Sequence, residues 1–174
     1  MDFDPRKSYT VEEAGKRMQR YCAFRERCHQ EVVQKLREMH MIPQAIDKIV
    51  VSLIEEGFLN EERFAKEFAR GKFRQKHWGR ARIRRALQQR EISEYLIRRA
   101  LTEIDQGEYL ESFDALANRR WEALKSEKNL QKKKKKLVDY LLYRGWEPEI
   151  VYDKAFELGG SLKRFSAGRG LQGS

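Results

Sequence analysis

The sequence predicts an all-α fold made of three tandem three-helix units, each similar to a helix-turn-helix domain, in an extended and curved array. Three observations predict it. One apolar pattern occurs three times with identical internal spacing. Helix-initiating residues stand at the same offset within each copy. Alternating strand patterns and Asn-Gly or Asp-Gly hairpin turns are missing from the sequence.

The repeated pattern has six apolar positions separated by 4, 5, 5, 4 and 3 residues, and successive copies lie 51 and 54 residues apart. A spacing of four places two side chains on one face of a helix, and the spacings of five carry the chain through a turn. The final four and three resume one face of a second helix. The copies are Val32, Leu36, Met41, Ile46, Val50 and Leu53; Ile83, Leu87, Ile92, Ile97, Leu101 and Ile104; and Leu137, Leu141, Trp146, Val151, Ala155 and Leu158.

The second helix of each pair begins with residues that favour helix initiation. Pro43 and Pro148 hold equivalent positions, and proline is favoured at the first position of a helix. The middle copy instead has Ser93 as an N-cap, followed by Glu94 in the first turn. Apolar residues on either side of each start are placed to form hydrophobic staples. The pairs are Met41 with Ile46, Ile92 with Ile97, and Trp146 with Val151.

A further helix is predicted before each pair. The clearest runs from about Asn60, its N-cap, to about Arg74, with Phe64 and Phe68 as an i,i+4 apolar pair. The equivalents run from about Thr10 to Arg25 and from about Tyr109 to Lys125. The predicted organisation is a flexible N-terminus (1–8), three units (9–59, 60–105 and 106–158) and a flexible tail rich in Gly and Ser (159–174).

The composition favours a basic protein with polyanionic partners. The formal net charge is +10 and the pI is about 9.7. The two cysteines, Cys22 and Cys28, cannot form a disulfide framework and are interpreted as small, partly buried thiols. No apolar run approaches the about 20 residues that span a bilayer, and the N-terminus lacks an apolar leader. We therefore expect a cytoplasmic protein without membrane contact.

The middle unit carries most of the positive charge. Residues 61–104 hold 13 Lys and Arg against 6 Asp and Glu, and residues 70–90 contain no acid at all. Arginine predominates there, and its planar fork suits phosphates and carboxylates. A helical step of 100° places Arg82, Arg85 and Gln89 opposite the core face. The candidates for contact with a partner or DNA are Lys72, Arg74, Lys76, Trp78, Arg80, Arg82, Arg84, Arg85 and Gln89. For Trp78 the alternatives are stacking on a base or on a partner's arginine, or packing in the inter-helix turn.

A second basic feature is the run Lys132–Lys136. With Leu137 and Leu141 facing inward, Lys132, Lys135 and Lys136 point outward and are further candidates. The two lysines between them flank the core and extend along it to reach solvent. Such runs bind nucleic acid in some proteins and are plain solvated helix faces in others, so both interpretations stay open.

Catalytic patterns are missing. The sequence has no Gly-rich phosphate loop, no HExxH and no GxSxG, and its three histidines lie far apart. Two cysteines and scattered histidines do not make up the about four ligands of a zinc site. We therefore predict no enzyme activity, no cofactor and no metal.

Two segments resemble a known family. GFLNEERFA (Gly57–Ala65) followed by WGRARIRRALQQREI (Trp78–Ile92) is similar to the central signature of the RecX family, and the three tandem three-helix units match its architecture. The resemblance runs from about Tyr9 to Leu158. One position departs from the pattern, because Glu91 replaces the usual glycine before the apolar turn residue, whereas Gly145 keeps it.

The resemblance implies a modulator of RecA. Members of the family lie in the groove of the RecA–DNA filament and suppress its ATPase and strand exchange. By this resemblance the expected partners are the RecA filament and single- or double-stranded DNA, reached directly or through the filament, with the chain acting as a monomer in a bacterial cytoplasm. Two alternatives stay open, a helix-turn-helix-like DNA-binding module and a scaffold for an acidic protein partner.

Overall fold

The structure, a computed structural model, describes residues 8–160, and in that range the chain forms nine α helices and no strand. This confirms the predicted all-α class. The helices are α1 (Val11–Phe24), α2 (His29–Glu38), α3 (Pro43–Glu55), α4 (Glu61–Lys76), α5 (Arg80–Gln88), α6 (Glu94–Thr102), α7 (Gln106–Ala123), α8 (Leu130–Tyr143) and α9 (Pro148–Leu158). The predicted flexible ends, 1–8 and 159–174, lie outside the described residues except for positions 8, 159 and 160.

Most helices begin at the residues that the sequence marks. The side chains of Asn60 and Ser93 each accept a hydrogen bond from a backbone N–H of the first turn, as N-caps do. Thr10 and Glu13 form a reciprocal capping box at the start of α1. Pro43 and Pro148 are the first residues of α3 and α9. The predicted N-cap and proline residues therefore lie at the starts of these helices.

One predicted helix boundary was wrong. The first helix of the third unit was expected from about Tyr109 to Lys125, but α7 begins at Gln106 and ends at Ala123. The reason is Asp105, whose carboxylate accepts the backbone N–H of Glu108 at 2.9 Å and so caps the helix one turn earlier.

Burial follows the repeated apolar pattern. Sixteen of its eighteen positions are buried, and the other two, Met41 and Leu158, are half-buried and packed against the cores. The three turns also share one geometry. His40, Glu91 and Gly145 all have left-handed backbone, with φ of 59°, 60° and 84°. In each turn the next residue donates its N–H to a carbonyl five residues earlier, as in a Schellman C-cap. Glu91 thus replaces glycine without a change of turn.

Each unit is a three-helix bundle in which the first and second helices pack on the third. The first unit (α1–α3) has its own apolar core, whereas the second (α4–α6) and third (α7–α9) share one. Cys28, the N-cap of α2, is buried in the shared core, and an ion pair from Glu26 to Arg63 also joins the first unit to the second. The second and third units therefore form one packed body.

Candidate partner-binding surface at the junction of the second and third units

The start of α5 packs on the turn between α8 and α9. The backbone N–H of Gly79 donates to the carbonyl of Arg144 at 2.8 Å, and that of Ala81 donates to the carbonyl of Gly145 at 3.1 Å. N–H groups at a helix start lack acceptors within their own helix, so the third unit caps the second. A Cβ atom on Gly79 would lie 2.2 Å from the Gly145 oxygen, so this approach requires glycine.

A buried tyrosine links the same two units. The hydroxyl of Tyr109 on α7 accepts the backbone N–H of Arg80 at 3.0 Å and donates to the carboxylate of Glu147 at 2.7 Å. Burial raises the pKa of Tyr109 well above its usual value, and the hydrogen bond to Glu147 raises it further. The hydroxyl therefore stays protonated and serves both partners.

Aromatic rings fill the space below this link. The Trp146 ring lies 4.6 Å from that of Tyr109 and 5.2 Å from that of Phe113, measured between centroids, and 6.5 Å from that of Phe73 on α4. Such tilted and edge-on pairs stabilise a core by about 0.5–1.5 kcal/mol each beyond their burial. These aromatic contacts fix the second and third units against each other.

The surface of this junction contains a groove formed by both units, which we call the arginine–aromatic groove. The guanidinium of Arg82 lies 4.2 Å from the ring centroid of Trp78 and 4.6 Å from that of Tyr143, and it donates to the carbonyl of Tyr143 at 3.2 Å. The groove has a volume of about 420 Å³ and is lined by Trp78, Arg82, Arg85, Ala86, Gln89, Leu142 and Tyr143. Three predicted candidates that the helical step placed on one face, Arg82, Arg85 and Gln89, thus lie together.

A second depression, of about 470 Å³, adjoins the groove and shares Trp78, Arg82 and Tyr143 with it. It is lined by Gln75, Lys76, His77, Trp78, Arg82, Tyr140, Tyr143 and Arg144. Arg144 lies 4.8 Å from the Tyr140 ring centroid and donates to the Lys76 carbonyl at 2.5 Å. Burial lowers the pKa of His77, and the neighbouring charges of Arg119 and Arg144 lower it further, so this histidine favours its neutral form.

The two depressions are basic throughout. Their lining includes four cationic side chains, Lys76, Arg82, Arg85 and Arg144, and no carboxylate among the described residues. Arg85 is exposed and its side chain has no hydrogen-bond or ion-pair partner within residues 8–160. Its charge is therefore available to a partner.

Four other predicted candidates already have partners within the chain. Arg74 makes a two-pronged ion pair with Glu108 of α7, and Arg84 pairs with Glu94. The guanidinium of Arg80 covers the Tyr109 ring and donates to the Ile104 carbonyl. Lys72 lies 5.2 Å from the ring centroids of both Phe68 and Trp78. In the described structure these four side chains make contacts within and between the second and third units.

Trp78 packs within the chain, and stacking on a base or on a partner's arginine stays a prediction. Its half-buried ring packs against the shared core and also forms one wall of the groove, in contact with Arg82.

The lysine run lies on α8, outside both depressions. Lys132, Lys135 and Lys136 are exposed as predicted, although Lys135 pairs with Asp139 and Lys136 with Glu127. Lys133 and Lys134 are half-buried beside the rings of Trp121 and Phe156.

Sequence reasoning missed Tyr143 and Arg144. Both precede Gly145 at the end of α8, and their partners Arg82 and Lys76 lie 61 and 68 residues away in the chain. The available signal was Tyr143 itself, a large aromatic outside the repeated apolar pattern, which predicts an exposed ring.

Possible metal ligands do not cluster within the described residues. Residues 8–160 contain no group of three or more His, Cys, Asp or Glu side chains that could hold a metal ion. Cys22 and Cys28 are both buried, and burial raises the pKa of both thiols, that of Cys22 to about 11. Protonated thiols are poor metal ligands and poor nucleophiles.

None of the helices within residues 8–160 has the length and apolar character that a membrane span requires.

Two family profiles match the chain. The profile for RecX, second three-helix domain, matches residues 60–101, and that for RecX, third three-helix domain, matches residues 107–154. Together they match just over half of the chain, and both depressions lie inside the matched segments. A comparison with curated protein sequences gives no match.

Two solved structures are similar in fold. A crystal structure of regulatory protein RecX is 22% identical, with a TM-score of 0.73, over 82% of this chain and 70% of that chain. The crystal structure of RecX from Lactobacillus salivarius is also 22% identical, with a TM-score of 0.73, over 85% of this chain and 96% of that chain. Likeness at this identity shows a shared fold.

Proposed function

We propose that this chain, because it belongs to the RecX family of regulatory proteins, binds a RecA recombinase filament on DNA and restrains its ATPase and strand exchange. The proposed role is a regulatory one, without catalysis or cofactor, exerted by a monomer in a bacterial cytoplasm. The partners are the filament and the DNA within it.

One observation carries the proposal beyond the family. The second and third units, which are the two that match the family profiles, form a single body with an acid-free basic surface across their junction. A filament groove offers phosphates and protein carboxylates, and the four cations of this surface complement both.

The shared core supports a restraining mechanism. A body that contacts two neighbouring RecA subunits gains avidity, because the second contact forms at a high effective concentration once the first exists. Since the junction is packed and hydrogen-bonded, the body opposes any change in the distance between those subunits. Such a bridge would slow the filament motions that accompany ATP turnover and strand exchange.

The first test is the single-strand-DNA-dependent ATPase of the cognate RecA, titrated with this protein at about physiological salt. We expect the ATPase to fall at ratios well below one molecule per RecA, since each bound molecule restrains more than one subunit. An unchanged ATPase rate at equimolar protein would contradict the proposal.

Reversing the charge of Arg85 tests whether this surface contacts the filament. Arg85→Glu should weaken the inhibition about tenfold or more, because it places a like charge against an acidic partner surface. Arg98→Glu is the matched control, since Arg98 is also exposed, lies in the same unit and lines neither depression. Reversal of Arg82 is a less specific variant, because Arg82 also stacks between Trp78 and Tyr143. Equal effects of the two reversals would mean that only net charge matters.

The ATPase titration, together with the binding of duplex DNA by this protein alone, separates the alternatives. A DNA-binding module would leave the ATPase unchanged and bind duplex DNA with a steep salt dependence, about 0.9 log unit of affinity per phosphate per log unit of salt. A scaffold for an unrelated acidic protein would affect neither the ATPase nor DNA.

A further inference from the structure

The two depressions form one continuous surface around Arg82. They share Trp78, Arg82 and Tyr143, and each volume falls in the range of about 300–1,000 Å³ typical of ligand sites. One part of the lining comes from the second unit and the other from the third. The complete surface therefore exists only where the two units are docked.

Tyr143 is the distinctive feature of this surface. It is 72% exposed and stands at the end of α8, whose Leu137 and Leu141 are buried in the core. Its ring contacts the Arg82 guanidinium, which lies 4.6 Å from the ring centroid, and most of the remaining ring is open to solvent. The ring is held in place by a cation and offers a flat surface for a further stacking partner.

Cations line both of the depressions that share this ring. Arg85 lines the groove, and Lys76 and Arg144 line the second depression. The amides of Gln75 and Gln89 line the two depressions as well, and amide groups can both donate and accept hydrogen bonds. An exposed ring in a basic groove is typical of proteins that bind single strands by stacking bases and neutralising phosphates.

We propose that this junction surface binds single-stranded nucleic acid directly, with an unpaired base stacked on Tyr143 and the adjoining phosphates on Arg85 and on Lys76 and Arg144. Arg82 positions the Tyr143 ring from below. The inference rests on the proposed function, because the strand it engages is the one within the filament, but it concerns a contact that needs no RecA.

The surface fits a single strand better than its competitors. Bases in a duplex already stack on one another and are not free to cover the Tyr143 ring. An acidic peptide would pair with the four cations but would leave the exposed ring without a function. The exposed Tyr143 ring therefore favours single-stranded nucleic acid over a duplex or an acidic peptide, although all three are negatively charged.

The test is fluorescence anisotropy of a labelled oligo(dT) of about 12 nucleotides with the full chain, at about 0.1 M salt and without RecA. The same strand annealed to oligo(dA) serves as the duplex probe. We expect the single strand to bind at least about tenfold more tightly than the duplex. Tyr143→Ala should weaken single-strand binding about tenfold, while Tyr143→Phe, which keeps the ring, should restore it.

Matched variants separate stacking from charge. Tyr152→Ala removes a tyrosine that is 50% exposed but lies outside both depressions, and should leave binding unchanged. Arg85→Glu should reduce the salt dependence of single-strand binding by about 0.7 log unit per log unit of salt, whereas Arg98→Glu should not. A Tyr143→Ala protein that binds oligo(dT) as tightly as wild type, or a wild type that prefers the duplex, overturns the inference.

Failure of this inference and failure of the proposed function look different. If the wild type inhibits RecA but does not bind oligo(dT), the stacking surface is refuted and the regulatory role stands. If oligo(dT) binds through Tyr143 while RecA activity is untouched, the stacking surface stands and the regulatory role is refuted.

Discussion

At the turn between α5 and α6, Glu91 holds a left-handed backbone conformation with a φ of 60°. For a residue with a Cβ atom this conformation costs about 1–2 kcal/mol. The turn tolerates this cost because the backbone N–H groups of Glu91 and Ile92 are both hydrogen-bonded. Glu91 donates its N–H to the carbonyl of Gln88, and Ile92 donates to that of Leu87. The same strain is absent in the third unit, where Gly145 occupies the equivalent position.

Glu91→Gly should therefore stabilise the protein by about 0.5–1 kcal/mol, since removal of the strain outweighs the extra entropy of glycine in the unfolded chain. The measurement is the free energy of unfolding from urea titration. The control is Gln89→Gly, because Gln89 is exposed in the same turn but has a right-handed φ of −61°. That change should destabilise by a similar amount, and a loss of stability in both variants would contradict the explanation.

Individual residues differ in how far the sequence reveals them. The burial of the repeated apolar positions could be predicted, because residues within one helix pair follow a local period. The position of Tyr143 against Arg82 could not, because it depends on how two units dock across 61 residues of chain. For the same reason charge alone placed Arg74, Arg80 and Arg84 among the candidates, although each has an intramolecular partner.

Among the elements, α5 and α8 meet through two glycines. Gly79 and Gly145 let the α5 backbone approach the α8–α9 turn closely enough for direct hydrogen bonds. The sequence shows Gly145 as a turn residue and Gly79 as part of the family signature, but it does not show that the two are in contact. Close approach of two backbones is a tertiary property that neither helix pattern contains.

Gly79→Ala should destabilise the protein by more than about 2 kcal/mol, because the added methyl group would meet the Gly145 carbonyl and force the two helices apart. Thermal and urea unfolding measure this. Gly71→Ala is the matched control, since Gly71 lies inside α4 and a Cβ atom there meets nothing within 4 Å. It should stabilise by up to about 1 kcal/mol. Equal effects at the two sites would refute the close-packed junction.

The second element-scale feature is the length of α8. It has 14 residues, whereas α2 and α5, which hold the equivalent place, have 10 and 9. The added turn at its start carries the first part of the lysine run, which explains why those lysines have no counterpart in the other units. The outward direction of Lys132, Lys135 and Lys136 could be predicted because it follows from the helix period alone. Their role in binding stays a prediction.

Across the whole molecule, the unequal division of the core matters most. The shared core of the second and third units includes Phe73, Tyr109 and Trp146, whereas the core of the first unit includes Met18, Leu36 and Val50. Energetic coupling follows continuous packing, so a perturbation in one core should spread through that core before it reaches the other. The three sequence repeats therefore correspond to two packed bodies, a distinction that the equal spacing of the repeats does not contain.

Hydrogen exchange of the intact chain tests this division. Trp146→Ala removes a fully buried ring and should cost about 3–5 kcal/mol. We expect faster exchange throughout α4–α9, including the helices of the second unit, with α1–α3 close to wild type. Met18→Ala is the reciprocal variant, costing about 2–5 kcal/mol, and should speed exchange in α1–α3 while leaving α7–α9 protected. If Trp146→Ala instead loosened only α7–α9, the second and third units would be separate bodies. The surface between them could not then act as one preformed site.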